Sequence, residues 1–247
     1  EDALEQQVGS YEILVNYYPK KQYFLQLGYT YQQMDREDDY MLTLKAAYDK
    51  DFLDKESEYL ALAQMLLLKK NPYWAAQVLV AGQQKKVTIT DDDTGEEEIV
   101  AVLKDKEKTL KLLADAWRMA QEIDMAIPVL EKAAKMSKDG DTYVLLGNLY
   151  LFEDRMEDSI RAIKNGLDKP KVKSRSQALL VLGQAYFELQ NFEEAKKHFR
   201  AAARDKNKRI KKTANSWIKY AENEEIRVKN LALRRDFIQQ SKAKSKT

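Results

Sequence analysis

The apolar positions of this chain form short amphipathic runs that recur with a long period. A Leu followed by Gly or Ala, with an aromatic or large apolar residue four positions after the Leu, occurs five times. The sets are Leu27-Gly28 with Tyr31, Leu62-Ala63 with Leu66, Leu113-Ala114 with Trp117, Leu146-Gly147 with Tyr150, and Leu182-Gly183 with Tyr186. Counted from six residues before each Leu, the units start at 21, 56, 107, 140 and 176, at intervals of 35, 51, 33 and 36. Three intervals sit near the ~34-residue period of a helix–turn–helix unit that buries its apolar face on its neighbours. The remaining interval carries an insertion.

The second half of each unit repeats as well. Thirteen residues after the Leu stand Tyr40, Ala75, Ala126, Ser159 and Ala195. Four further on come Leu44, Leu79, Leu130, Ile163 and Phe199, and three beyond those Ala47, Gly82, Ala133, Gly166 and Ala202. Steps of four and three put each trio on one helical face. The small residues allow two helices to approach closely where Cβ bulk is absent. This register resembles the tetratricopeptide repeat over residues 21–209. The departures are Phe24, Tyr59, Leu110, Tyr143 and Leu179 where that family favours Trp, and the lack of a closing Pro in any full unit. The resemblance implies an all-α fold, a right-handed superhelix (α-solenoid) of helical hairpins. The units then cover 21–55, 56–86, 107–139, 140–175 and 176–209.

The flanks extend the pattern. Residues 3–18 read as one amphipathic helix with Leu4, Val8, Tyr11, Leu14, Val15 and Tyr18 on its apolar side, stopped by Pro19. It reads as the second helix of a half unit over 3–20, which makes the chain a piece of a longer solenoid. At the other end Ile210, Ala214, Trp217, Ile218 and Ala221 make the apolar stripe of a capping helix over 210–240. A solenoid needs such a cap to cover its last core face. Residues 241–247 lack large apolar side chains and are expected to be disordered. Asn71-Pro72 predicts a helix start with Pro at its first position, and Pro128 predicts a slight kink inside the second helix of the third unit.

The insertion between the second and third units predicts a β-hairpin over 87–102. Val87-Thr88-Ile89-Thr90 and Ile99-Val100-Ala101-Val102 flank a turn that holds Gly95 and six carboxylates within eight residues, Asp91 to Glu98. Clustered carboxylates suit a hard cation such as Ca²⁺, but the spacing is not that of an EF-hand loop. A solvated tip is the expected state, without a metal.

Composition supports the helical reading: 8 Gly and 4 Pro in 247 residues are few for a loop-rich chain, and 44% of residues are hydrophobic. There is no Cys, which removes disulfides, thiolate metal sites and Cys nucleophiles. No run approaches the ~18 apolar residues of a membrane span. The chain opens at Glu1 without Met or a signal peptide, which reads as a trimmed or processed end. The net charge of +2 hides an asymmetry. Residues 196–247 carry 17 Lys/Arg against 5 Asp/Glu, a net of +12, and the rest of the chain carries −10. The basic end is either a solubilising helix end or a surface for an anionic partner.

Nothing in the chain fills a catalytic role. The one histidine, His198, lies among Lys196, Lys197 and Arg200 and reads as a surface residue. No Ser/His/Asp set, phosphate loop or His-based metal spacing is present, so the expectation is a non-enzyme without cofactor. Nucleic acid is an unfavoured partner. The aromatic residues of the basic end, Phe199, Trp217, Tyr220 and Phe237, mostly occupy core or cap positions rather than stacking platforms.

A protein or peptide partner follows from the family resemblance, which implies that the first helix of each unit lines a concave groove. The residues two, five and six after each Leu would face it. The candidates are Tyr29, Gln64, Lys111, Asp115, Arg118, Asn148, Leu151, Phe152, Gln184 and Phe187. Amide side chains can pair with an extended peptide backbone, and Leu151, Phe152 and Phe187 would offer apolar pockets. The basic clamp that some family members use for a C-terminal carboxylate is not reproduced, since Lys111 and Arg118 are accompanied by Asp115.

A closer resemblance rests on Ile127-Pro128-Val129-Leu130-Glu131-Lys132-Ala133-Ala134 followed by Ser137 and Asp139-Gly140, on Leu182-Gly183-Gln184-Ala185-Tyr186-Phe187, and on Trp217-Ile218-Lys219-Tyr220. These stretches are similar to tetratricopeptide proteins encoded beside TonB–ExbB–ExbD transport genes in gammaproteobacteria. That resemblance implies a periplasmic accessory of an energised uptake system, associated with a membrane-anchored complex. The acidic hairpin and basic tail depart from it. A cytosolic assembly scaffold and a binder of an anionic partner through the basic end stay open as alternatives.

Overall fold

A computed structural model describes residues 2–90 and 95–244, with side chains through Ser241. The chain packs as two compact units, Glu1–Val129 and Leu130–Thr247. The first holds α1 (Asp2–Tyr17), α2 (Lys21–Gln33), α3 (Glu37–Asp49), α4 (Glu56–Leu68), α5 (Pro72–Gln84), β1 (Lys86–Thr90), β2 (Glu97–Ala101) and α6 (Glu107–Met119). The division falls within α7 (Ile123–Met136), which carries Pro128 inside it. The second unit goes on with α8 (Asp141–Phe152), α9 (Met156–Leu167), α10 (Arg175–Glu188), α11 (Phe192–Ala202) and α12 (Lys208–Lys244). Both units are stacks of antiparallel helical hairpins, the all-α architecture that the repeat implies.

Each hairpin turns in three residues, and the turns repeat in backbone detail. The middle residue is left-handed in all five: Asp35, Lys70, Gln121, Asp154 and Gln190, with φ of 54, 58, 65, 55 and 57°. The amide of the next residue donates back across the helix end, from Arg36, Asn71, Glu122, Arg155 and Asn191 to the carbonyls of Tyr31, Leu66, Trp117, Tyr150 and Tyr186 at 2.8–2.9 Å. These acceptors are the residues four after each repeat Leu. The turn satisfies helix-end carbonyls that would otherwise be orphaned. None of the five left-handed positions is Gly, so each carries the steric cost of a Cβ there.

Helix approach depends on the small residues. A Cβ added at Gly147 would stand 2.5 Å from Ile163, and one at Gly183 would stand 2.5 Å from Phe199. Gly82 faces the ring of Tyr59 in the same manner. Phe199, Leu182, Leu62 and Leu79 are fully buried at these crossings, each stabilising its hairpin by about 1.5–3 kcal/mol of transfer free energy. Glu58, buried at the start of α4, accepts from the amides of Asp54 at 2.9 Å and Lys55 at 3.1 Å and from Lys21 Nζ at 3.1 Å. Asn71 stands at the N-cap of α5 with Pro72 behind it, yet its side chain makes no capping bond. Asn191 does cap, accepting from Glu194 N.

The insertion is an antiparallel hairpin in which Lys86 pairs Ala101 and Thr90 pairs Glu97. Its root is fastened to α5, where Val102 N donates to Lys85 O and Leu103 N to Gly82 O, both at 2.9 Å. Leu103 is buried beneath it, while Ile89 and Ile99 are exposed. The acidic stretch 91–94 proposed for the tip lies outside the described residues. At the C-terminus, α12 runs to Lys244, past the end at 240 and into the segment expected to be disordered. Ala and Lys are good helix formers, and adding residues to an existing helix needs no new nucleus. Residues 245–247 lie outside the described residues.

Candidate peptide-binding surface

In the second unit α8 touches α10, and α10 touches α12. These first helices therefore line one side of the stack. The packing glycines fix which residues point away from it. Gly147 and Gly183 are pressed onto α9 and α11, so the residues just after them, Asn148 and Gln184, turn half out of the core. Asn148 spends one amide proton inside its own helix, donating to Val144 O at 2.8 Å, and keeps its carbonyl oxygen and second proton for other partners. Phe152, one helical turn on, is 72% exposed, and Leu151 beside it leans on the core of Val144, Ile163 and Leu182.

Phe187 does not belong to this surface. It is 8% exposed and sits among Phe192, Trp217 and Tyr220, with ring centroids at 5.6, 5.6 and 5.1 Å. The expectation of a pocket there is corrected by α12, whose Trp217 face covers the last hairpin and takes Phe187 into the core.

In the first unit Tyr29 and Gln64 project from α2 and α4, with Tyr29 56% exposed. The charged candidates on α6 are matched locally. Arg118 pairs with Asp115 at 3.3 Å and Lys111 with Glu107 at 3.6 Å. Exposed pairs of this kind contribute little stability, but they leave neither Lys111 nor Arg118 as an unmatched cation for a carboxylate ligand.

His198 is not the surface residue that the sequence suggested. Its ring stacks on Tyr186 at 5.5 Å and 5°, half-buried, with Nε2 3.6 Å from Glu194. Burial pushes its pKa below the ordinary histidine value, against the pull of Glu194. Nearby, Lys196 is buried and bonds Glu193 at 2.8 Å and Glu225 of α12 at 2.7 Å. The Lys196 bond, seconded by Lys229, holds the Glu225 carboxyl down at about 2.

One constellation was missed at the sequence level although its spacing is legible. Tyr31 donates to Glu12, Arg36 lies over the Tyr31 ring at 4.7 Å, and Arg36 Nε donates to Asp39 at 2.7 Å. The second unit repeats it: Tyr150 bonds Glu131, Arg155 lies over Tyr150 at 4.5 Å, and Arg155 Nε donates to Asp158 at 2.8 Å. Glu, Tyr, Arg and Asp stand at identical spacings in both sets. The group fastens a second helix to the hairpin that follows it, so its role is structural.

Residues 176–204, essentially α10 and α11, match the family model for the tetratricopeptide repeat. No curated protein matches the chain by sequence. Among solved structures it is similar to YrrB, described as a TPR protein with an unusual peptide-binding site, with a TM-score of 0.59 and 11% identity over 83% of this chain and 96% of YrrB. It is also similar to MamA, with a TM-score of 0.53 and 20% identity over 71% of this chain and 92% of that one. A second MamA structure gives 0.54 and 19%, covering 74% and 89%. Identities this low speak to the fold alone. Residues 176–204 are a tetratricopeptide repeat by sequence, and the chain has the tetratricopeptide fold.

Proposed function

We propose that this chain is a non-catalytic protein-interaction module that holds an extended segment of a partner protein on the first helices of its second unit. The observation that carries the reading is the pairing of half-exposed amides, Asn148 and Gln184, at the same position of touching helices, with exposed Phe152 beside them. Backbone-directed amides together with an apolar anchor are what recognition of an extended peptide requires. Tyr29 and Gln64 supply a comparable but smaller surface in the first unit. Replacing Asn148 and Gln184 by Ala tests the reading. Partner binding should weaken while the melting curve moves by less than about 1 kcal/mol, as for surface substitutions. Undiminished binding would overturn it.

For the setting, we propose the periplasm, as an accessory to a TonB-type energised uptake complex. The support is the sequence similarity of stretches 127–140, 182–187 and 217–220 to proteins encoded beside TonB–ExbB–ExbD genes. Fractionation of the native cells with in vivo crosslinking checks it. Recovery in the cytosol, or no crosslink to any component of such a complex, would remove this setting and favour a cytosolic scaffold.

A further inference from the structure

A stripe of lysines runs along the first half of α12. Lys208, Lys211, Lys212 and Lys219 line one shallow depression together with Asn215 and Ser216. All six are exposed, and steps of three, four and seven residues keep the lysines on one side of the helix. The neighbouring helix α11 treats its cations differently. Lys196 meets Glu193 and Glu225, Lys197 meets Glu194, and Arg200 meets Glu222. Among the described residues, none of the four stripe lysines has a carboxylate within salt-bridge distance. Like charges spaced three and four apart on a helix repel, so the stripe stands at a cost that a bound anion would relieve.

The stripe stands on α12, the helix that touches α10 with its Gln184. Ala214 is fully buried in the core that holds Phe199, so α12 packs on α11 as α10 packs on α9 through Ala178. The first half of α12 thus packs as a further first helix, and its lysines add positive charge beside α10, which carries Gln184.

We infer that the partner segment is acidic where it crosses α12, its Asp or Glu carboxylates pairing with Lys208, Lys211, Lys212 and Lys219 while Asn215 and Ser216 supply neutral hydrogen bonds. This rests on the reading that the first helices of the second unit carry a peptide. Lysine suits the task because its compact ammonium on a flexible stem accepts carboxylates at varied spacing. Nucleic acid is disfavoured because the nearby rings are engaged. Trp217 stacks on Phe199 at 5.5 Å, and Tyr220 packs on Phe187 and Trp217. An anionic membrane is disfavoured because the residues lining the depression itself are lysines, Asn215 and Ser216, with no large apolar side chain to enter it.

The test uses the full chain and a short labelled peptide of alternating Glu and Ser, with an all-Ser/Gly peptide, a single-stranded oligothymidylate and phosphatidylglycerol vesicles as comparison probes. The acidic peptide should bind in a salt-dependent manner, and the all-Ser/Gly peptide should not. Lys211→Glu with Lys212→Glu should weaken binding roughly tenfold or more, as for loss of charge complementarity at an interface. Arg234→Glu with Arg235→Glu changes net charge equally on the far part of α12 and should leave the affinity within about twofold. Equal losses from the two reversals would overturn the inference, since net charge alone would then explain binding. Tighter, lysine-dependent binding to the oligonucleotide or the vesicles would overturn it in favour of those anions. If the Lys211/Lys212 variant loses the peptide while Asn148→Ala with Gln184→Ala does not, the stripe is upheld and the groove reading fails.

Discussion

The hydroxyl of Tyr31 donates to the carboxylate of Glu12 at 2.6 Å, tying α1 to the hairpin that follows it. Tyr31 is buried and Glu12 exposed, so this charge-assisted bond is shielded from water at its hydroxyl end. Tyr31→Phe should destabilise the first unit by about 1.5–3 kcal/mol, the range for a hydrogen bond to a charged group. Burial, and then the bond to Glu12, raise the Tyr31 pKa well above the ordinary tyrosine value. The fold therefore favours the neutral phenol, and this contribution is intact below pH 10 and lost as pH rises beyond it. Thermal melts across alkaline pH should show wild type losing stability faster than Tyr31→Phe. Parallel curves would refute the coupling.

Two buried glycines of the second unit, Gly147 and Gly183, give a steric prediction. Gly147→Ala and Gly183→Ala should each cost about 1–3 kcal/mol, because the new methyl overlaps Ile163 or Phe199 and a packed core yields poorly. Gly9→Ala is the control. Nothing lies within 4 Å of a Cβ there, and Ala within helix α1 should stabilise by about 0.5–1 kcal/mol. Chemical denaturation of the three variants would separate packing from propensity, and equal effects would sink the packing account.

The left-handed turn residues offer stabilisation. Gln121 and Gln190, at φ of 65 and 57°, pay a Cβ penalty that Gly avoids. Gln121→Gly and Gln190→Gly should each raise stability by about 0.5–1 kcal/mol, after the entropic handicap of Gly is set against the strain relieved. A lower melting temperature in both would show that the side chains contribute more than their backbone conformation costs.

Acid should loosen the cap. Glu225, held at about 2 by Lys196 and Lys229, has a folded pKa well below its ordinary 4.5. Its contribution is full above 4.5 and is lost as pH falls towards 2. His198, also depressed, adds loss in the same direction as pH falls through its folded value. The melting temperature should therefore drop on acidification, and Glu225→Gln should flatten the limb between pH 4.5 and 2. An unchanged limb would show that the Lys196–Glu225 bond does not couple α11 to α12 in solution.

Much of the fold was legible because it is periodic. A small residue beside Leu27, Leu62, Leu113, Leu146 and Leu182 marks the crossing of two helices, and the aromatic or apolar residue four after each Leu marks the carbonyl that closes the turn. The hairpin insertion could be read from two β-branched runs around Gly95. The site was legible only in part. Asn148 and Gln184 stand half-buried, whereas Phe187, which the same register would place beside them, is buried because α12 is laid over it.

The sequence by itself determined which residues sit on which face of each helix, since a period of 3.6 residues needs no knowledge of neighbours. It also placed the excess of positive charge in residues 196–247. Only the tertiary structure decided which faces meet another helix and which meet water. Burial of Phe187 and His198 depends on what lies across from them, and so does the pairing of Lys196 with Glu225 while the lysines of the α12 stripe meet no carboxylate among the described residues. Periodicity is a property of one helix, whereas exposure is a relation between two.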